Sequence, residues 1–426
     1  MITCEALPRE SGEPSGPHVI QPGLRRSAKQ SEALANELAR SRCLTTASDL
    51  ALDEARQLAS NADIHGRIAL SCDQKDRALA KIVNTSAPVG AWSRFLDGRL
   101  RIPVIGSPLF LVSNPALVIA QCTAGIVGSF PALNARPASQ LDEWLHEIRE
   151  ALAAHDARHP DRPAAPLAVN QIVHRSNGRL EQDLQICERH KVPIVITSLG
   201  ARPELNQAVH DWGGVTLHDI INQTFARKAI EKGADGLIAV AAGAGGHAGS
   251  ISPFALMAEI REWFDGPVAL SGAIATGRGV RAAELMGADV AYIGSAFIAT
   301  QEANAGQRYK QMIVDSAADD IVNSDVFTGV HGNYLAPSIV AAGMDPAKLG
   351  DVEAVKMDFG AGRDEARDKK AWRDIWGSGQ GIGSVKEIVP AAELVERLAR
   401  EYAEACGAAP RLGLRVGDAF ATGRAA

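Results

Sequence analysis

The sequence has no apolar run close to the roughly 18 residues that a membrane span requires, and its first residues carry no apolar signal core. Its 6 cysteines lie far apart, without a C-x-x-C pair or a nearby histidine partner. A chain of 426 residues buries a large core and does not depend on disulfide bonds, so we expect reduced thiols. These absences predict a cytoplasmic protein that neither spans a membrane nor is exported.

An excess of positive charge is also missing. The formal net charge is −6, the pI is near 6.0, and the lysines and arginines are spread along the chain. Nucleic-acid binding is disfavoured, because it requires a concentrated basic surface. Metal-ligand spacing is not found either: His331, with Asp319 and Asp320 upstream, matches no recognised pattern, and no metal site is predicted.

What the sequence does contain is a regular alternation of short apolar segments and polar-faced helices. Eight segments recur at intervals of roughly 20 to 40 residues: 102–106, 125–130, 166–170, 193–197, 214–217, 236–240, 267–271 and 290–294. Eight consecutive strand–helix units predict an α/β fold of the (β/α)8 TIM barrel type. A doubly wound open sheet alternates in the same way, but the regular series of units favours a closed barrel.

Composition divides the whole chain into five parts. Residues 1–95 are an N-terminal extension, predicted to be disordered over its Pro- and Ser-rich start and helical afterwards. Residues 96–300 hold the barrel, and residues 301–385 are predicted to be an inserted helical subdomain over its carboxyl mouth. Residues 386–406 supply the final barrel helix, and residues 407–426 are expected to be a loose tail.

A glycine-rich loop with one titratable side chain follows the sixth apolar segment. The stretch from Ala234 to Gly249 reads ADGLIAVAAGAGGHAG, a buried strand that runs into glycines and His247. Glycine backbone can lie flat against a ligand, and imidazole titrates near neutral pH, so the pattern predicts a site. An ordinary turn is the alternative, and a dinucleotide loop matches weakly because Ala248 stands where a third glycine would fall.

Glycine turns also follow the seventh and eighth segments, at Gly272-Ala273 and at Gly294-Ser295. In TIM barrels the loops at these two positions often bind phosphate through backbone N–H groups. Each turn alone is explained by a tight strand–helix connection. The pair, together with His247, predicts a phosphorylated ligand lying across the barrel mouth.

These motifs as a set resemble the nitronate monooxygenase (2-nitropropane dioxygenase) family, FMN enzymes built on a TIM barrel. The resemblance covers about residues 98–400 and rests on IPVIGSPLF, PLAVNQ, AGAGGHAG, SGAIATG and YIGSAFIAT, in that order. It implies that His247 is the catalytic residue. It further implies cofactor contacts at Ser107, Pro108, Leu109, Asn170, Gly245, Gly246, Gly272, Ala273, Gly294 and Ser295.

The chain departs from the family's pattern near the flavin. Gly106-Ser107-Pro108-Leu109 stands where many members have Gln-Ala-Pro-Met, and residues 216–219 (Thr-Leu-His-Asp) stand where many have a lysine. A cation there would stabilise the reduced, anionic flavin, so a protonated His218, paired with Asp219, is the expected cofactor-binding substitute. A surface histidine at a helix start is the alternative for His218. Residues 328–333 also lack the arginine-containing motif common in the family, which leaves substrate preference open.

The resemblance implies oxidation of alkyl nitronates by O₂, through FMN, to carbonyl compounds and nitrite. His247 would bind the nitronate if charged, or act as a general base on the neutral nitroalkane if not. An FMN-dependent enoyl reductase that uses NAD(P)H and a non-catalytic flavin-binding module stay open as alternatives. An IMP dehydrogenase-like barrel is disfavoured, because no cysteine lies between Cys187 and Cys406.

Overall fold

The computed structural model describes residues 92–351 and 375–408. The predictions of disorder and helix before residue 92, and of a loose tail after residue 408, lie outside these described residues. Within them the predicted barrel is confirmed: eight parallel strands form one sheet that closes on itself.

The barrel strands follow the predicted segments. They are β1 (Val104–Gly106), β2 (Gly128–Pro131), β3 (Leu167–Ile172), β4 (Ile194–Ser198), β5 (Val215–Ile220), β6 (Gly236–Val240), β8 (Val268–Ser271) and β9 (Val290–Ile293), with a two-residue strand β7 (Gly246–His247) outside the barrel. Neighbours pair in the order β1-β9-β8-β6-β5-β4-β3-β2. A parallel bridge between Ile105 and Val127 joins β1 to the start of β2 and closes the ring.

Helices follow the strands and cover the barrel. They are α1 (Ser93–Leu96), α2 (Pro115–Ala124), α3 (Ser139–Arg158), α4 (Leu180–Arg189), α5 (Pro203–Asp211), α6 (Gln223–Glu231), α7 (Pro253–Arg261), α8 (Gly277–Leu285), α9 (Ser295–Ile298), α10 (Gln307–Asp315), α11 (Ala336–Ala341) and α12 (Ala391–Gly407). Helix α12 packs against both α8 and α2, so it fills the last position of the helical ring. None of the helices described for this chain is long and apolar enough to cross a membrane.

Side-chain caps fix where several helices begin. The Asn114 side chain accepts the N–H of Leu117 at 2.8 Å, and Pro115 occupies the first position of α2, as its sequence predicts. Asn222 and Thr276 cap α6 and α8 in the same way. These caps hold the starts of the helices at the carboxyl ends of the strands, where TIM barrels carry their sites.

Alternation along each strand decides which side chains face the barrel interior. Ile196 of β4 and Leu217 of β5 belong to the interior cluster, whereas Val195 and Ile220 pack into the clusters under the helices. Residues two positions after Ile196 and Leu217 therefore face inward at the carboxyl end of the barrel. Residues one position after them face the helices.

The segment after the barrel contains a sheet that the sequence analysis did not predict. β10 (Ile321–Ser324) and β11 (Gly332–Leu335) form an antiparallel hairpin, and β11 also pairs with β7. Within residues 301–351 and 375–385 the expected helical subdomain is therefore corrected to a mixed one, in which α10 and α11 accompany this sheet; residues 352–374 of that prediction lie outside the described residues. Each hairpin strand has only four residues and gives no periodic pattern. The third strand of the sheet, β7, comes from the loop after β6.

Candidate active site

His247 is held by the hairpin rather than by the barrel alone. In the β7–β11 pair, His247 lies opposite Gly332 and Gly246 opposite Asn333. The His247 Nε2 atom is 3.1 Å from Oγ1 of Thr328, a buried residue. Burial lowers the pKa of His247 from its ordinary 6.5 to about 4, so the imidazole is neutral near pH 7.

The loop that carries His247 packs directly on the segment before the last 3₁₀ turn, Gln380–Ser384. The Gly243 carbonyl accepts the N–H of Gln380 at 2.9 Å. A Cβ atom built on Gly245 would lie 2.7 Å from the Gly379 nitrogen and 2.8 Å from Ser295 Oγ. A side chain at position 245 would therefore push these segments apart, which is the physical reason for a glycine there.

The two predicted phosphate turns meet at this same place. After β8, Gly272 has φ +142 and Ala273 has φ +53, and the Ala273 N–H donates to the Gly243 carbonyl at 3.2 Å. After β9, the Ser295 hydroxyl accepts the N–H of Gly379 at 2.8 Å. The turns therefore lie beside one another, joined through the loop after β6 and the segment 376–381.

The segment after β1 closes the other side of the turn after β9. A Cβ atom on Gly294 would lie 3.2 Å from Leu109 Cδ2 and 3.4 Å from Ser107 Cβ. Ser107, Pro108 and Leu109 are half-buried, and the Ser107 N–H donates to the Ile293 carbonyl at 2.8 Å. The structure thus brings the residues predicted from β1, β6, β8 and β9 to one mouth.

Asn170 ends a chain of polar side chains that crosses three neighbouring strands. Its Nδ2 donates to Ser198 Oγ at 2.7 Å, and Ser198 donates a short hydrogen bond to Asp219 Oδ2. All three residues have the inward register of β3, β4 and β5. Burial raises the pKa of the Asp219 carboxyl from 3.8 to about 6, and the Ser198 hydrogen bond partly opposes this shift.

His218, a predicted site residue, faces away from the mouth. It lies one position after Leu217, on the helix-facing side of β5, and its Nδ1 is 2.6 Å from Thr197 Oγ1. Burial, together with the positive charge of Lys232, lowers its pKa to about 4. The expectation that a protonated His218 serves the flavin is corrected, because the strand register points the imidazole away and burial keeps it neutral.

Sequence reasoning missed several residues that shape this mouth. Ser198 was not singled out, Thr328 was considered only as part of the atypical segment 328–333, and Asp219 was considered only as a partner of His218. Asn333, whose Nδ2 donates to the Ala244 carbonyl at 2.6 Å, was seen only within an atypical segment. A polar residue directly at the end of an apolar strand was the available signal for Ser198 and Asp219, whereas nothing local marked Thr328.

Comparison with known proteins identifies the family. Residues 99–401 match the family profile described as nitronate monooxygenase. This match covers well over half of the chain, and the chain belongs to the nitronate monooxygenase family, whose members are flavin-dependent oxidoreductases.

Individual relatives are distant. The chain is 27% identical over 352 residues to a nitronate monooxygenase of Paraburkholderia phytofirmans, covering 70% of this chain and 92% of that protein. It is 24% identical over 267 residues to the (3aS,4S,5R,7aS)-5-hydroxy-7a-methyl-1-oxo-octahydro-1H-indene-4-carboxyl-CoA dehydrogenase of Rhodococcus jostii, covering 60% of this chain and 72% of that protein. The structure of nitroalkane oxidase from Streptomyces ansochromogenes matches with TM-score 0.62 and 24% identity over 74% of this chain and 99% of that chain, which supports the same fold.

Proposed function

We propose that this member of the nitronate monooxygenase family binds FMN at the barrel mouth and uses O₂ to oxidise alkyl nitronates to carbonyl compounds and nitrite. The observation that carries the proposal is the meeting of the two glycine turns with the His247 loop, through Gly243, Ser295 and Gly379. Independent features of the sequence thereby contribute to one place at the carboxyl ends of the strands, where TIM barrels bind phosphorylated ligands.

The residues present fit a flavin mononucleotide. The turns at Gly272-Ala273 and Gly294-Ser295 would hold the phosphate. The Ala273 N–H already donates to the Gly243 carbonyl, whereas the first turn of α9 offers the N–H group of Ser295 without an intrahelical partner. Ser107 to Leu109, Asn170 and the Gly245-Gly246 backbone would hold the ring. The tight packing around Gly245, where a Cβ would meet Gly379 and Ser295, fixes the wall on which a flat ring can lie.

Within this site the protein supplies proton chemistry and orientation, while bound FMN supplies electron acceptance and reaction with O₂. His247 is neutral near pH 7, so it accepts the proton from the carbon next to the nitro group of a neutral nitroalkane. Thr328 fixes the ring from its Nε2 side and orients this base. A nitronate substrate, which has already lost that proton, is oriented at the same position.

The test compares the full chain with a His247→Asn variant. Purified wild type should carry a yellow flavin, consume O₂ with propyl nitronate and release nitrite. The variant should keep the flavin, but its kcat with the neutral nitroalkane should fall at least about 100-fold. Unchanged turnover would remove His247 from the chemistry. A wild-type chain that binds no flavin would refute the proposed function.

A second candidate is an FMN-dependent oxidoreductase of the enoyl reductase type that uses NAD(P)H. The similarity to the Rhodococcus jostii relative, whose name is that of a carboxyl-CoA dehydrogenase, supports this second candidate. Anaerobic mixing of the FMN-loaded chain with NADH and NADPH separates the two functions. Rapid bleaching of the flavin favours the reductase, whereas bleaching only by a nitronate favours the monooxygenase.

A further inference from the structure

A cavity of about 350 Å³ lies at the amino end of the barrel, opposite the mouth. It is bounded by α1, by α3 and by the segments that lead into β3 and β4, residues 164–167 and 190–193. The sites of TIM-barrel enzymes lie at the carboxyl ends of the strands, so this cavity is separate from the proposed active site. Its volume falls within the range of small-molecule sites, about 300–1,000 Å³.

Positive charge is concentrated around this cavity, although the whole chain carries a formal net charge of −6. Among the described residues that line it, Asp156 is the one carboxylate. Its Oδ1 accepts the N–H of Ala164 at 2.7 Å, and its Oδ2 lies 3.5 Å from Nη1 of Arg99. Arg99 also donates to the Ala164 carbonyl at 2.9 Å. This arginine and this carboxylate therefore balance each other within the wall.

Three further cations line the cavity, and none of them has a carboxylate partner within residues 92–351 and 375–408: Arg94, Arg149 and Lys191. Arg94 donates to the Gly213 carbonyl at 2.6 Å, and its guanidinium carbon lies 4.7 Å from the centre of the Phe95 ring. Arg149 and Lys191 are exposed, and their side chains make no hydrogen bond to the described part of the chain. Like charges around one cavity repel, and a bound anion would relieve that repulsion.

The backbone of Lys191 gives independent support for a role of its side chain. Lys191 follows α4 in the left-handed region, with φ +47, and the next N–H, of Val192, donates to the Cys187 carbonyl at 3.0 Å. Helices α5, α6 and α8 end with the same hydrogen bond and carry glycine at the left-handed position, with φ between +87 and +97: Gly213, Gly233 and Gly287. A side chain costs stability in this conformation, so the lysine at this turn is retained against a conformational preference for glycine.

The lining indicates the chemistry of the ligand. Guanidinium and ammonium groups bind phosphate oxygens through charge-assisted hydrogen bonds. A diphosphate ester has one charge on its inner phosphate and about −1.5 to −2 on the outer one, which nearly balances three cations. Phe95, Leu145 and Leu152 add an apolar wall beside these cations, on which an aromatic base can lie.

We propose that this cavity binds an organic diphosphate of the nucleoside diphosphate class. The diphosphate lies among Arg94, Arg149 and Lys191, and the nucleoside lies against Phe95. Binding is non-covalent and independent of the barrel mouth, so the inference does not rest on the proposed function.

The test titrates ADP into the full chain by isothermal titration calorimetry, with and without FMN in excess. Wild type should bind one ADP per chain with a dissociation constant below about 1 mM in both titrations. Pyrophosphate has the charge but lacks the nucleoside, and citrate lacks the diphosphate as well. Each should bind at least about 10-fold more weakly than ADP.

Two variants remove one cation each. Lys191→Gly places glycine in a left-handed turn, so it should be at least as stable as wild type in urea unfolding and still bind ADP at least about 10-fold more weakly. Arg149→Gln should weaken ADP binding to a similar extent. The matched control is Arg308→Gln, because Arg308 is an exposed arginine of α10 that does not line the cavity, and ADP affinity should not change.

Absence of ADP binding to wild type at 1 mM, or wild-type affinity in both variants, would overturn the inference. Displacement of ADP by FMN would also overturn it, because ADP would then occupy the mouth. Equal affinities for ADP, pyrophosphate and citrate would reduce the cavity to an adventitious anion site and overturn the proposed ligand class. A chain that binds ADP but no FMN refutes the proposed function and leaves this inference standing.

Discussion

Replacing Gly245 with alanine offers a direct test of the convergence on which the site depends. The new Cβ would lie 2.7 Å from the Gly379 nitrogen and 2.8 Å from Ser295 Oγ, where ordinary contact begins at 3.4 Å. Either the His247 loop or the segment 376–381 must therefore move by about 0.7 Å, and the nearest obstacle is backbone. Overpacking of this kind costs about 1–3 kcal/mol of folding free energy.

The same displacement should weaken flavin binding, because Ser295 and Gly379 are both part of the proposed cofactor wall. If half of that strain is relieved by moving Ser295, the lost binding energy is about 0.5–1.5 kcal/mol, which raises the FMN dissociation constant by about 2-fold to 10-fold. The assays are urea unfolding of the apoprotein and fluorescence titration of FMN into each variant.

Gly178→Ala is the matched control, because a Cβ there meets nothing within 4 Å and the residue has no positive φ. This substitution should change neither the free energy of unfolding nor the free energy of FMN binding by more than about 0.5 kcal/mol. If Gly245→Ala unfolds and binds FMN like the control, the loop and the segment 376–381 are not packed as described.

Two further predictions follow from packing and from buried charge. Gly277→Ala would place a Cβ 2.2 Å from the Leu398 carbonyl and the Tyr402 nitrogen of α12, so it should cost about 3 kcal/mol or more, and unchanged urea unfolding would refute the docking of that helix. His218, with its pKa lowered to about 4, binds protons in the unfolded chain before it does in the folded one, so it should reduce stability as pH falls from 6.5 to 4. Asp219, with its pKa raised to about 6, has the opposite effect and increases stability as pH falls from 6 to 3.8. His218→Asn should make the melting temperature fall less steeply with acid, and an unaltered fall would contradict the burial of that imidazole.

The barrel could be predicted from sequence because each strand is short, apolar on both faces and bounded by turn residues. The same property hid the orientation of the side chains. Along β5 both Leu217 and Ile220 are buried, one in the interior and one under the helices, so the pattern alone did not show which of His218 and Asp219 faces the mouth. Only the pairing register with β4 decides it.

The antiparallel sheet was beyond reach for a different reason. β7 is two residues long and exists because β11, more than 80 positions later, pairs with it. No local propensity encodes such a contact, since glycine is a poor strand former by itself. The glycine loop was predicted to be a site from its composition, whereas its anchoring by Thr328 and Asn333 depends on tertiary structure.

Closure of the ring by its ends has a consequence for how the protein is made. β1, the first barrel strand, hydrogen-bonds to β9, and α2, the helix that follows β1, packs against α12. While the ribosome is still extending the chain, the unfinished sheet has two open edges and α2 has an uncovered flank. The barrel can be completed only after residues 391–407 have emerged, so the nascent protein depends for most of its synthesis on being kept from associating with other chains.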